Sequence, residues 1–303
     1  MIDVKLFLKL RQKINNRLAH SLRYKRNDLS YLIGNRINSS FTGSRILVYH
    51  GIDKADSRKY NTKFISDKRL DKHLRFYKKH FEIVHLQDLL NNRVDQSKFN
   101  VALTFDDGFI NNLDLALPVL EHHQTPATFS ITGIVDTKLP ILWADYLDIV
   151  AKELRVPLIV DGVAYESKKL KPWSSLEYVS AEGIKLKSLA LRSNPFFIKQ
   201  LLFELKKCVA LEDLSAFGVY WKQLTKNQIK ALSKSPNVDI ASHGYDHSSL
   251  EHIPFDMACE DMSKSKLFLE NIIQKPVSTL VYPNGSYSQD LIDYGRSIGY
   301  HYH

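Results

Sequence analysis

The 303 residues can hold one large domain or two smaller ones, and 44% hydrophobic with 25% charged content is ordinary for a soluble globular protein. The net charge of +9 is uneven: residues 1–45 carry ten Lys/Arg against Asp3 and Asp28, so the rest is nearly neutral and no nucleic-acid partner is expected. No apolar run approaches the roughly 18 residues of a spanning helix, the start lacks the core of a secretory signal, and two cysteines, Cys208 and Cys259, argue for a reducing compartment. The expectation is a cytoplasmic protein.

Residues 1–44 read as a basic arm, with Leu6, Phe7, Leu10, Ile14, Leu18 and Leu22 at helical spacing. Such a helix either lies on an anionic membrane through residues 1–30, on the inner membrane face, or packs on the main domain with its basic face in solvent. From residue 45 onwards strands and helices alternate. RILVYH (45–50) reads as a buried strand, 67–81 as a helix with Leu70, Leu74 and Tyr77 on one face, and EIVHL (82–86) as a short strand before a helical turn at QDLL. VALTFDD (101–107) is a strand, followed by a helix over 111–123 that Pro118 interrupts or kinks. PATFSIT (126–132) is the next strand.

Between Thr132 and Ser235 the alternation breaks. Residues 143–154 and about 175–233 read as mainly helical around a hairpin-like piece, PLIVDGVAYES, which makes a helical insertion at about 136–234. Strands follow at 235–243 and 276–283, separated by a helix over roughly 256–274, and a last helix stops at Gly299. Residues 45–303 are therefore expected to form an α/β parallel sheet or barrel of βα units with a helical insertion.

In such folds catalytic groups sit on loops at the carboxyl ends of strands. Four ends here carry polar residues that a core would not choose: His50, the pair Asp106-Asp107, His243, and Tyr282-Pro283-Asn284. Burying a carboxylate costs several kcal/mol without a compensating cation or hydrogen bonds. In SHGYDH (242–247) the spacing of His243 and His247 lets both imidazoles aim at one point. Two His plus one carboxylate is the ligand set of a catalytic divalent metal, and the second carboxylate is then free to act as a base.

These residues also match a family. TFDDGF (104–109) and SHGYDH resemble the first two motifs of the polysaccharide deacetylases, carbohydrate esterase family 4, whose domain is of the NodB-like type; Gly244 stands where the family has Ser or Thr. YPNGSY (282–287) looks like a variant third motif that lacks the arginine before the proline, and LVYHGI (47–52) looks like the opening strand of some members. The resemblance implies a distorted (β/α) barrel that removes the N-acetyl group from an N-acetylated sugar. It implies Asp107, His243 and His247 as ligands of a divalent metal, zinc above all, and Asp106 as catalytic base.

The family's usual proton donor is a histidine on a late strand, and the sequence ends at GYHYH (299–303) without it. Either His50 takes that role, as in circularly permuted members, or the chain is truncated or degenerate with impaired activity. Tyr282, Pro283, Trp143 and Asp145 are the candidate substrate contacts; Tyr146, Tyr165, Trp173 and Tyr178 cover the site or fill a core. The expected activity is a deacetylase of a glycan or glycan precursor in surface polysaccharide synthesis. The alternatives are a catalytically weak, deacetylase-like glycan-binding protein and an amide hydrolase acting on a non-sugar substrate.

Overall fold

The computed structural model describes residues 42–55, 59–171 and 174–303. The amphipathic arm, its membrane contact and Trp173 lie outside the described residues.

The centre is a parallel sheet in the order β1 (Gly43–Tyr49), β5 (Phe99–Phe105), β6 (Ala127–Ile131), β10 (Val238–Ser242), with the two-residue β4 (Glu82–Ile83) also on β5, while β2 (Ile52–Asp53) and β3 (Ile65–Ser66) pair with each other. The sheet continues through single bridges from Ser242 to Leu280 and from Thr279 to Tyr302, giving the curved wall of a distorted (β/α) barrel. Parallel pairing needs crossovers, and helices supply them. Helix α1 (Asp67–His80) starts where the Ser66 side chain accepts the Arg69 N–H, and it buries Leu70 and Leu74 as the spacing predicts.

Over residues 111–123 the interruption at Pro118 is a change of helix type. A π-helical turn, Asn112–Ala116, runs into α3 (Leu117–His122), with Pro118 in its first turn, where a missing N–H costs little. Helix α8 (Phe255–Ile273) and helix α9 (Gln289–Ser297) form as the pattern indicates.

Three expectations need correction. β1 is not buried: Ile46 is 44% and Val48 56% exposed. It pairs with β5 on one edge, and among the described residues nothing pairs with the other. A cavity of about 460 Å³ opens along this seam, lined by Ile46, Val48, Leu86, Asp106, Tyr282 and His303. The strand expected over 276–283 is reduced to the two bridges, and that over 82–86 to two residues, because helix α2 (Leu86–Leu90) takes over at once.

The insertion contains a three-stranded antiparallel sheet as well as helices. β7 (Leu158–Val160) and β8 (Val163–Lys168) turn through Asp161-Gly162, both at positive φ (52° and 73°), and β9 (Glu177–Val179) adds to them. The insertion has its own apolar cluster around Tyr146, Leu158, Tyr165, Tyr178, Leu201 and Trp221, separate from the barrel core. Tyr146, Tyr165 and Tyr178 therefore fill a core.

Candidate active site

Register sets the first half of the site. Tyr49 pairs with Phe105, and Phe105 with Phe129, so their rings stack in a column at centroid distances of 5.2 and 4.9 Å. The residues after Tyr49 and Phe105, His50 and Asp106, consequently leave the sheet at one level, and the Asp106 N–H donates to Tyr49 O (2.9 Å). Asp107 then takes φ +78°, a costly conformation for a non-glycine residue that sharply redirects the chain. Gly108 follows at φ +79°, where a Cβ would lie 3.0 Å from Ile131 Cγ2.

The second half comes from the end of β10. The His243 N–H donates to Ile131 O (3.0 Å), Gly244 turns at φ +72°, and His247 sits at φ +55°. Asp261, on α8, accepts the Tyr245 N–H (2.8 Å) on one oxygen and the Asp246 N–H (2.9 Å) on the other. A Cβ on Gly244 would lie 2.9 Å from that same Asp261 carboxylate and 3.3 Å from the Pro283 ring. This loop brings the His243 and His247 rings to 5.0 Å, as their spacing allows.

Both imidazoles converge on Asp107. His243 Nε2 lies 3.4 Å and His247 Nε2 3.2 Å from Asp107 Oδ1, and His50 Nε2 is 4.0 Å from Oδ2. The Asp107, His243 and His247 donor atoms all fall within 4.8 Å of one another. Val281 O lies 2.8 Å from His243 Nδ1, so in the neutral imidazole that nitrogen donates and the Nε2 lone pair faces a carboxylate oxygen. Two acceptors turned on each other are repulsive unless a proton or a cation lies between them, and one borderline-soft divalent ion suits this donor set.

The electrostatics agree. Burial alone would raise the Asp107 carboxyl, but hydrogen bonds from the two imidazoles outweigh it and hold the group well below the usual carboxylate range. For His243, burial favours the neutral form, yet Asp107 draws it above the ordinary imidazole value. Burial pushes His50 down, against the pull of Asp107, and Lys63 adds to the lowering.

Trp143 and Asp145, at the start of α4 (Trp143–Ile149), line a cavity of about 330 Å³ together with Asp107 and His247. Asp106 borders the apolar seam instead, with one buried carboxylate oxygen lacking a hydrogen-bond partner, although its charge acts on both His50 and His243. Tyr282 also lies on the seam side, its hydroxyl 3.0 Å from His303 Nδ1, and Pro283 packs beneath Gly244.

Sequence reading passed over Asn111, Asn112 and Asp261. Asn111 accepts the Ile52 N–H (2.9 Å) and Asn112 donates to His50 O (2.8 Å), so the π-turn after β5 fixes the loop that carries His50. A pair of asparagines at a strand–helix junction is the only signal the sequence offers for them, and Asp261 has none beyond a carboxylate on the inner face of a helix.

A parallel α/β barrel that gathers a carboxylate and several imidazoles at its strand ends has the build of a hydrolase. The chain belongs to the polysaccharide deacetylase family, whose sequence profile matches residues 93–184 and 196–303, and it is a polysaccharide N-deacetylase. His50 lies outside the matched range. No curated protein matches the chain by sequence. The fold is similar to that of the Streptococcus pyogenes deacetylase PplD, solved in complex with acetate, at 17% identity and TM-score 0.52 over 86% of this chain and 82% of that one. It is also similar to IcaB from Ammonifex degensii, at 16% identity and TM-score 0.50, again over 86% and 82%.

Proposed function

We propose that the protein is a metal-dependent deacetylase of an N-acetylated sugar in a glycan or glycan precursor made for the cell surface, with Asp107, His243 and His247 as ligands of a zinc ion. The observation that carries this reading is the convergence of those three side chains on one point beside His50. When bound, the cation supplies Lewis-acid polarisation of the acetamide carbonyl and of the attacking water.

The chain's own residues supply the proton transfers. Asp106 takes the proton of the water as its oxygen bonds to the acetyl carbon. His50 gives a proton to the nitrogen as the C–N bond breaks, releasing acetate and the free amine. Asn112 and Asn111 hold the His50 loop for that transfer. Trp143 and Asp145 meet the sugar.

A cytoplasmic location, with residues 1–30 resting on the anionic inner face of a membrane, would place the enzyme beside lipid-linked precursors. The arm's excess of Lys and Arg supports that placement.

The deciding experiment measures bound metal and acetate release together. His247→Ala should lose most of the metal and nearly all activity, whereas full activity in a metal-free protein would refute the reading.

A further inference from the structure

The cavity beside the cluster has an unusual charge balance. Its walls carry three lysines, Lys63, Lys152 and Lys187, and four carboxylates, Asp107, Asp145, Asp148 and Glu177. Lys187 Nζ lies 2.7 Å and Lys152 Nζ 3.7 Å from the same Asp148 Oδ2, so one carboxylate serves two ammonium groups. Lys63 Nζ lies 2.9 Å from His50 Nε2, a contact with an imidazole rather than with an acid. Glu177, also on the wall, is taken by Lys185 at 2.7 Å.

Asp145 does not restore the balance. It is 6% exposed; one of its oxygens accepts from the Asn61 amide at 3.2 Å and the other has no partner. Burial, with Asp107 nearby, pushes it up to about 8, so it is mostly protonated and neutral at pH 7. Were it ionised, Asp145 and Asp148 would still leave one of the three lysines without a carboxylate, because Glu177 is paired with Lys185 and Asp107 with the histidine cluster. A divalent cation at the cluster would meanwhile offset Asp106 and Asp107, leaving the excess on this wall unanswered.

We infer that the substrate carries an acidic group, a carboxylate or a phosphate, on or next to the N-acetylated sugar, and that Lys63 and Lys187 bind it while Asp145 hydrogen-bonds a neutral sugar substituent through its unpartnered oxygen. This rests on the deacetylase reading and narrows its substrate. The volume, about 330 Å³, is near the lower end for ligand pockets, so the acid must sit close to the acetamide. Lys63 is placed for this, because its ammonium already touches the imidazole assigned to the departing amine.

The test compares acetate release from three N-acetylhexosamine substrates of equal length: neutral, bearing an adjacent uronate, and bearing a phosphate. One or both acidic substrates should show kcat/KM higher than the neutral one by about tenfold, the worth of one charge-assisted contact, with the difference shrinking in salt. Which acid is preferred identifies the source of the charge. Lys187→Met and Lys63→Met should each narrow the acidic-to-neutral ratio, chiefly by raising KM for the acidic substrate. Equal use of neutral and acidic substrates, or a ratio unchanged in the double variant, overturns the inference and leaves deacetylation standing. No acetate from any of the three by the metal-loaded protein would remove both.

Discussion

Asp106 and Asp107 are neighbours in the chain, yet they border different cavities. Asp107 faces the polar one, with Lys63, Asp145 and His247, whereas Asp106 borders the apolar seam with Ile46, Val48 and Tyr282. Successive side chains of an extended strand already point to opposite faces, and the left-handed turn at Asp107 then carries the chain out of the sheet. Adjacent identical side chains thereby gain different surroundings, and with them different chemistry: one gathers two imidazoles while the other keeps an unpartnered oxygen.

The largest effect should come from breaking the seam-side member. Asp106→Asn should keep the metal and lose about 10²–10⁴-fold in acetate release, the usual worth of a positioned base. An unchanged rate would make Asp106 a wall of the seam and nothing more.

On the polar side the support beneath the histidines is next. Asp261→Ala strips the acceptor from two backbone N–H groups, at about 1–3 kcal/mol for each donor left buried and unpaired. Urea unfolding should show that loss, and metal affinity should fall with it because the loop carrying His247 loosens. Asp261→Asn keeps one acceptor oxygen and should recover part of both.

A further effect separates the two cavities by pH. Asp145 titrates at about 8 in the folded protein against its ordinary 3.8, so between these values the folded state holds a proton that the unfolded state has lost. Stability of the metal-free protein should therefore decline as pH rises from about 4 to about 8. Asp145→Asn removes that contribution and should gain on the native chain as pH climbs. Parallel unfolding midpoints at about pH 5 and about pH 8 would contradict it.

The smallest effect belongs to the open edge. Val48→Thr should change stability by less than about 0.5 kcal/mol, as at most exposed sites. Val101→Thr, on the covered face of β5, should cost about 1–3 kcal/mol because it buries a hydroxyl. Equal losses at both positions would mean that the seam is covered in solution.

Much of this was legible beforehand. The alternation of short apolar runs and helical patterns gave the parallel barrel, since periodicity is local information. The convergence of Asp107, His243 and His247 was legible for the same reason: each follows an apolar strand, and the carboxyl edge of a parallel sheet is one place in space. The exposure of Val48 was not legible, because an apolar run reads alike whether or not a neighbouring strand covers it. Nor was the fate of Tyr146 and Tyr178: an aromatic-rich segment does not say whether its rings face a sugar or one another.

The sequence by itself determined the order of elements, the helix caps and the residue types that meet at the strand ends. These depend on spacing and side-chain chemistry along short stretches. Only the tertiary structure decided that Asp106 and Asp107 part ways, that Asp261 reaches from a distant helix to hold the His247 loop, and that Lys63, Lys152 and Lys187 share one cavity with Asp145 and Asp148. Each of these depends on distances between segments far apart in the chain, and those are fixed by packing and backbone φ rather than by any local pattern.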